Sequence, residues 1–109
     1  MNAADEFKQR QRAMWAAGDF PAIATTIQEA SDVTIDRLGV ESGQDLLDVA
    51  TGTGNAAIPA ARQGARVVGL DQVPELLTAA RARAAEAGVE IEWVEGDAEA
   101  LPFDSALFD

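Results

Sequence analysis

The stretch LLDVATGTGNAA, Leu46 to Ala57, decides the fold. It begins as an apolar run of strand length and ends in a glycine turn that opens into alanine-rich sequence. Gly52 and Gly54 lack a Cβ, so the backbone can turn sharply there and a ligand can lie close against it. The free N–H groups at the helix start that follows favour an acceptor such as a carboxylate. As a pattern this is G-x-G-x-x-A, which also fits the dinucleotide fingerprint. An ordinary strand-to-helix turn would carry the same letters.

Outward from this loop the pattern alternates. A strand is expected over Asp45 to Ala50, then a helix from Asn55 to Gln63 stopped by Gly64. RVVGLD, Arg66 to Asp71, reads as a second strand. Pro74 suits the first turn of a helix that runs to Ala87, with Gly88 as its stop. EIEWVEG, Glu90 to Gly96, reads as a third strand, LPF breaks the chain, and the closing ALFD looks like the start of a fourth. Strand, helix, strand, helix, strand is the signature of a parallel sheet with right-handed crossovers. The fold class is therefore α/β, a Rossmann-like doubly wound sheet, of which residues 41–109 supply the N-terminal half. Residues 1–40 form a helical extension. One helix is expected over Ala3 to Ala17 with Phe7 and Met14 on one face. A second is expected from Pro21 to Leu38, with Ile23, Ile27, Ala30 and Leu38 as its buried stripe.

The sheet unit stops early. In the doubly wound pattern the first strand is central and later strands lie on its far side. Without them the Asp45 to Ala50 strand keeps a bare edge, which invites pairing. The expectation is a truncated domain, a fragment, or a chain that completes itself as a homodimer or swapped assembly through that edge; the alternative is a natural minimal protein whose terminal segment covers the edge.

Composition narrows the chemistry. The 109 residues suit one small domain. With 19 acidic and 8 basic residues the net charge is −11, which repels phosphate backbones and argues against a nucleic-acid partner. There is no cysteine and no histidine, so disulfides, thiolate chemistry, Cys/His zinc sites and histidine triads are excluded. The acidic residues lack calcium-loop spacing, so no metal site is expected. No stretch reaches membrane-spanning length and MNAADEFKQRQR has no signal-peptide core, which makes the cytoplasm the expected location.

Three carboxylates fall at strand ends. Asp48 lies four residues before Gly52. Phosphates brought to this turn would meet an unfavourable charge, whereas an ammonium group would be welcomed. Asp48 as an N-cap or a turn partner for loop N–H groups is the plainer reading. Asp71 ends the second strand, where a carboxylate can accept both hydrogen bonds of a ribose diol, in a dinucleotide or another adenosine-bearing cofactor, or can cap the Pro74 helix. Asp97 ends the third, where it can take a hydrogen bond from an exocyclic amine, with the Ala98 N–H beside it, or act as a helix cap.

DVATGTGN, VVGLDQVPELL and EGDAEALPF, in that order, resemble the class I S-adenosylmethionine-dependent methyltransferases, in particular the branch that includes ubiquinone and menaquinone biosynthesis C-methyltransferases. The resemblance covers roughly Ala13 to Asp109. It implies S-adenosylmethionine as cofactor and a small-molecule methyl acceptor. It implies that Asp48 receives the amino group of the methionine part, directly or through water, and that Gly52 and Gly54 form a backbone bed. Ala50 stands at the first small position, where glycine is commoner. Asp71 would hold the ribose hydroxyls and Gln72 would flank the adenine. Asp97 and the Ala98 N–H would read the adenine edge, and Leu101 would lie against the ring. Trp15 and Phe20 are candidates for an N-terminal lid, or for plain helix packing. Val73 departs from the family, which often places Ser or Thr there as a cap. No catalytic base is assigned. An NAD(P)-binding Rossmann domain and a non-catalytic fragment that self-associates are the rival readings.

Overall fold

A computed structural model describes residues 2–18, 23 and 27–109. The expected start of the second helix at Pro21, and the lid candidate Phe20, lie outside the described residues. Four helices and three strands are described in this order: α1 (Ala3–Ala17), α2 (Gln28–Leu38), β1 (Asp45–Val49), α3 (Ala57–Arg62), β2 (Arg66–Asp71), α4 (Pro74–Ala87) and β3 (Glu92–Glu95). The strands are parallel in the order β1-β2-β3, with Leu46 opposite Val67 and Gly69 opposite Trp93. This is the α/β, partial Rossmann-like sheet that the alternation of elements predicts. Both crossovers advance in one direction, so right-handed connections set α3 and α4 on the same face.

The core follows from that choice. Ile35, Ala57, Ala60, Ala65 and Val67 form one buried cluster, with Leu46, Ile91 and Trp93 packed against it. Alanines on α3 bring the helix close to the sheet, with room left over Gly69 for a ring. Trp93 takes that room by lying across Gly69: a methyl group placed on Gly69 would come 2.6 Å from Trp93 Cζ3. Side chains alternate along a strand, so Leu47, Val49, Val68, Leu70 and Val94 face the other way. Leu70 is buried there, Leu47, Val68 and Val94 are half-buried, and Val49 is exposed.

Two expectations are corrected. The inward stripe of α2 is not Ile27, Ala30 and Leu38, since Leu38 is 66% exposed and Ile27 and Ala30 are exposed as well. Instead Gln28, Ser31 and Ile35 turn inward. The stripe is polar at its start because it meets the glycine loop, where Gln28 Nε2 donates to the Asn55 carbonyl at 2.7 Å. Phe7 and Met14, expected on one face of α1, are both exposed, and α1 has no buried residue. Nor does ALFD form a strand. It ends with the Asp109 N–H donating to the Asp45 carbonyl at 2.7 Å, while Asp109 Oδ2 accepts from the Asp45 N–H at 2.8 Å.

That last contact identifies the open edge. The Arg66 N–H donates to the Gln44 carbonyl. In a parallel ladder alternate residues turn to alternate sides. Residues 46 and 48 therefore bond β2, while the peptide groups of 45, 47 and 49 look outward.

The Trp93 contact yields a stability prediction. Gly69→Ala should destabilise the chain by about 1–3 kcal/mol, the usual cost of overpacking, read from urea unfolding. Unchanged stability would mean that the indole does not rest on the Gly69 backbone.

Candidate functional site

At the carboxyl ends of the three strands lies a cavity of about 680 Å³. Its floor is Ala50, Gly52 and Thr53 from the loop after β1, Leu70 to Val73 from the end of β2, and Gly96 to Glu99 after β3. Its roof is α1, which contributes Phe7, Gln11 and Trp15. These three are spaced four apart and so share one helix face. Phe7 is 54% and Trp15 40% exposed, because the face looks into the cavity rather than into a core.

Asp71 is the best-anchored group on the rim. It is only 7% exposed. Its Oδ2 accepts from the Gly52 N–H and its Oδ1 from the Val73 N–H, both at 2.9 Å. The first bond ties the glycine loop to β2. The second makes the turn into α4, where Val73 itself gives no side-chain cap. Each carboxylate oxygen has two acceptor sites, so both keep capacity for a ligand hydroxyl. The loop bends through left-handed backbone at Gly52 (φ 59°) and Gly54 (φ 85°). Ala50 also sits at φ 57°, a conformation that costs a side-chain-bearing residue about 1–2 kcal/mol. That strain is the physical consequence of alanine at the first small position.

Asp97 is bound differently. Lys8 of α1 donates to its Oδ2 at 2.6 Å and reaches Glu99 at 3.1 Å, while the Glu99 N–H donates to its Oδ1. The lysine beside it and the Glu99 N–H hold the Asp97 carboxyl below its usual range, and the two acids raise Lys8. No helix follows Asp97 among the described residues, so it is not a helix cap. It closes a small turn in which the Ala100 N–H bonds the Asp97 carbonyl.

The structure thus brings Ala50, Gly52, Asp71, Gln72, Asp97 and Ala98 together on one cavity. Asp48, Gly54 and Leu101 lie off its wall. Asp48 sits beneath the loop, accepting from the Thr51 hydroxyl at 2.7 Å and from the Ala57 N–H. Burial pushes its carboxyl up, those two donors pull it down, and the neighbouring Asp71 carboxylate pushes it up again, with burial the largest effect. Gly54 faces Trp93 and Ile58, and Leu101 is exposed. Lys8, Gln11, Thr53 and Glu99 also line the cavity and are not among the site residues expected from the sequence. The spacing of Phe7, Gln11 and Trp15 is a signal that could have found the roof. Nothing in the letters marks Lys8 as the partner of an acid 89 positions away.

The family model described as a methyltransferase domain matches residues 46–109. The chain belongs to that family. Its fold is that of S-adenosylmethionine-dependent methyltransferases. A structure of such an enzyme from Geobacter sulfurreducens, in complex with S-adenosyl-L-homocysteine, matches with a TM-score of 0.64 and 29% identity, over 70% of this chain and 32% of that one. An uncharacterized protein of Mycobacterium tuberculosis is 48% identical over 99 residues, 90% of this chain and 36% of that protein. Demethylmenaquinone methyltransferase of Thermus thermophilus is 46% identical over 66 residues, 59% of this chain and 30% of that protein. The methyltransferase domain described here therefore spans about a third of the length of these curated relatives. Among the described residues no helix is long and apolar enough to cross a membrane, and no group of three or more acidic side chains is placed to hold a metal ion.

The state of Asp48 sets a pH test. Its native pKa lies above the unfolded one, so in the window between them the native state holds more protons and stability falls as pH rises. The unfolding free energy of the wild type relative to Asp48→Asn should therefore decline from about pH 4 upward and level off once Asp48 is ionised. Urea titrations at a series of pH values measure it. A difference that does not vary with pH would show that burial does not disfavour the charge.

Proposed function

We propose that this methyltransferase domain binds S-adenosylmethionine in the cavity under α1 and serves methyl transfer to a small molecule. The observation that carries the reading is the buried Asp71 carboxylate on the cavity wall, fixed by two backbone N–H groups and still able to accept. The residues present fit the cofactor: an acceptor pair for a ribose diol, a glycine loop that lets a ligand approach, and an acid with an adjacent N–H at the end of β3.

In this reading Asp71 takes the ribose hydroxyls and Gln72 lies beside the adenine. Asp97 and the Ala98 N–H meet its edge, and Leu101 flanks the ring from outside the turn. Ala50 and Gly52 form the bed, and Gly54, packed against Trp93 and Ile58, shapes the loop from beneath. Asp48, set back from the wall, acts on the amino group through Thr51 or a water. Phe7 and Trp15 close the roof and exclude water. When bound, the cofactor supplies an electrophilic methyl group on a sulfonium. The protein supplies placement and a fixed electrostatic field. No side chain is assigned as a base. A small, uncharged or cationic acceptor suits a chain of net charge −11 better than RNA does.

A calorimetric titration with S-adenosylhomocysteine and with NAD tests the cofactor. The homocysteine compound should bind and NAD should not, and Asp71→Ala should weaken the former about tenfold or more, the loss expected for a charged hydrogen-bond acceptor. Tight NAD binding with no response to S-adenosylhomocysteine would end the proposal.

Self-association belongs to the same reading. Among the described residues no strand pairs with the outward peptide groups of Leu47 and Val49, beyond the Asp45–Asp109 contact, and such an edge favours pairing with a second copy. Light scattering should give a mass above that of one chain, rising with concentration. A strictly monomeric mass would remove the edge as an assembly surface.

A further inference from the structure

Arg83 lies outside the cavity, on the far side of the glycine loop. It projects from α4, whose first turn follows directly on Asp71. Its guanidinium is half-buried and makes four hydrogen bonds. Nη1 donates to the Thr53 carbonyl at 3.0 Å, the Thr53 hydroxyl at 2.9 Å and the Asn55 side-chain oxygen at 2.6 Å. Nη2 donates to Gln28 Oε1 at 2.7 Å. Gln28 in turn donates to the Asn55 carbonyl. The arginine thereby joins α4, the loop and the first residue of α2.

The placement on the loop is the point of interest. Asp71 holds the Gly52 N–H from the sheet side, and Arg83 holds the Thr53 carbonyl from the outer side. A carboxylate fixes a donor and a guanidinium fixes an acceptor, one residue apart. The Gly54 N–H completes the turn by bonding the Thr51 carbonyl at 2.9 Å. The peptide between Thr53 and Gly54 is therefore fixed at both its polar ends. Thr53 itself lines the cavity. Any rotation of that peptide would change the wall presented to a ligand. Arg83's planar fork reaches these oxygens from two nitrogens in a fixed geometry, which a lysine's single ammonium does not reproduce.

We propose that Arg83 is a positioning residue for the cofactor site: it never touches the ligand, and it sets ligand affinity by locking the Thr53–Gly54 peptide from behind. The inference rests on the reading that the cavity takes S-adenosylmethionine. Its geometry, from the two α4-proximal anchors to the loop between them, is independent of the identity of the methyl acceptor.

The test compares the wild-type chain with Arg83→Met, Arg83→Lys and, as a control on an exposed position of the same helix, Arg81→Met. Three quantities are measured: the S-adenosylhomocysteine Kd by calorimetry, the amide resonances of Gly52, Thr53 and Gly54 in the ligand-free protein, and the urea midpoint. Arg83→Met should raise Kd about tenfold and move the loop resonances, Arg83→Lys should fall between it and the wild type, and Arg81→Met should match the wild type in both. A lower urea midpoint with unchanged Kd and loop resonances would make Arg83 a plain structural tie and overturn the inference. So would a folded Arg83→Met protein that binds as the wild type does. If Arg83→Met does not fold, the lysine variant decides: full wild-type affinity and resonances in it would refute the need for the fork. If the wild type itself takes up no S-adenosylhomocysteine, the cofactor reading fails, and the resonances still report whether Arg83 holds the loop.

Discussion

One buried carboxylate sets the geometry of the cavity floor. Asp71 ends β2, the central strand, and accepts from Gly52 in one loop and Val73 in the next. A glycine-rich turn has more conformational freedom than any other sequence of its length. Without an anchor, the bends at Gly52 and Gly54 would be a few among many. Binding the Gly52 N–H to a side chain held on the sheet selects one of them. The same group starts α4, so the orientation of that helix and the shape of the loop are coupled through a single side chain. A buried charge is costly unless its lone pairs are met, and here backbone donors meet two of them.

The underside of the loop is governed by volume rather than charge. Trp93 crosses Gly69 and reaches Gly54, where an added methyl would come 3.0 Å from its Cη2 and 3.2 Å from Ile58 Cδ1. Gly54 therefore has two constraints on it, a positive φ and a ring at its back. This accounts for its position off the cavity wall. Gly52, whose absent Cβ would meet nothing within 4 Å, faces the space a ligand needs. The two glycines of one motif thus serve different ends, one for packing and one for access.

Much of this was legible in the letters, and the parts that were not share a cause. The strand–loop–helix grammar around Leu46 to Ala57, the stops at Gly64 and Gly88, and the convergence of Asp71 and Asp97 at one end of the sheet follow from periodicity and topology. Those are local rules, and the family match over residues 46–109 agrees with them. The inward stripe of α2 is not legible from hydrophobicity, because Gln28 and Ser31 turn inward and Gln28 meets a polar loop. The roles of Lys8 and Arg83 were not legible because each depends on a partner distant in sequence, Asp97 for the first and Thr53 for the second. Neither pairing leaves a trace in spacing. The placement of Asp48 was legible as a strand end, but not its depth, since the Thr51 hydroxyl that covers it belongs to a turn whose shape the letters leave open.

The roof and the floor of the cavity are held by unlike means. The floor is tied by backbone hydrogen bonds to buried or half-buried side chains and by a ring packed beneath it. The roof, α1, has no buried residue, and its ion pairs to Asp97 and Glu99 are at the surface, where such contacts are worth little and are screened by salt. Its apolar face, Phe7 and Trp15, is turned to a cavity and not to a core. A ligand in the space beneath this helix would bury surface of Phe7 and Trp15 that is otherwise exposed, and so would add to what holds the roof in place. Under the proposed reading, ligand binding and the seating of the roof are then coupled in energetic terms, while the floor keeps its shape through its own hydrogen bonds.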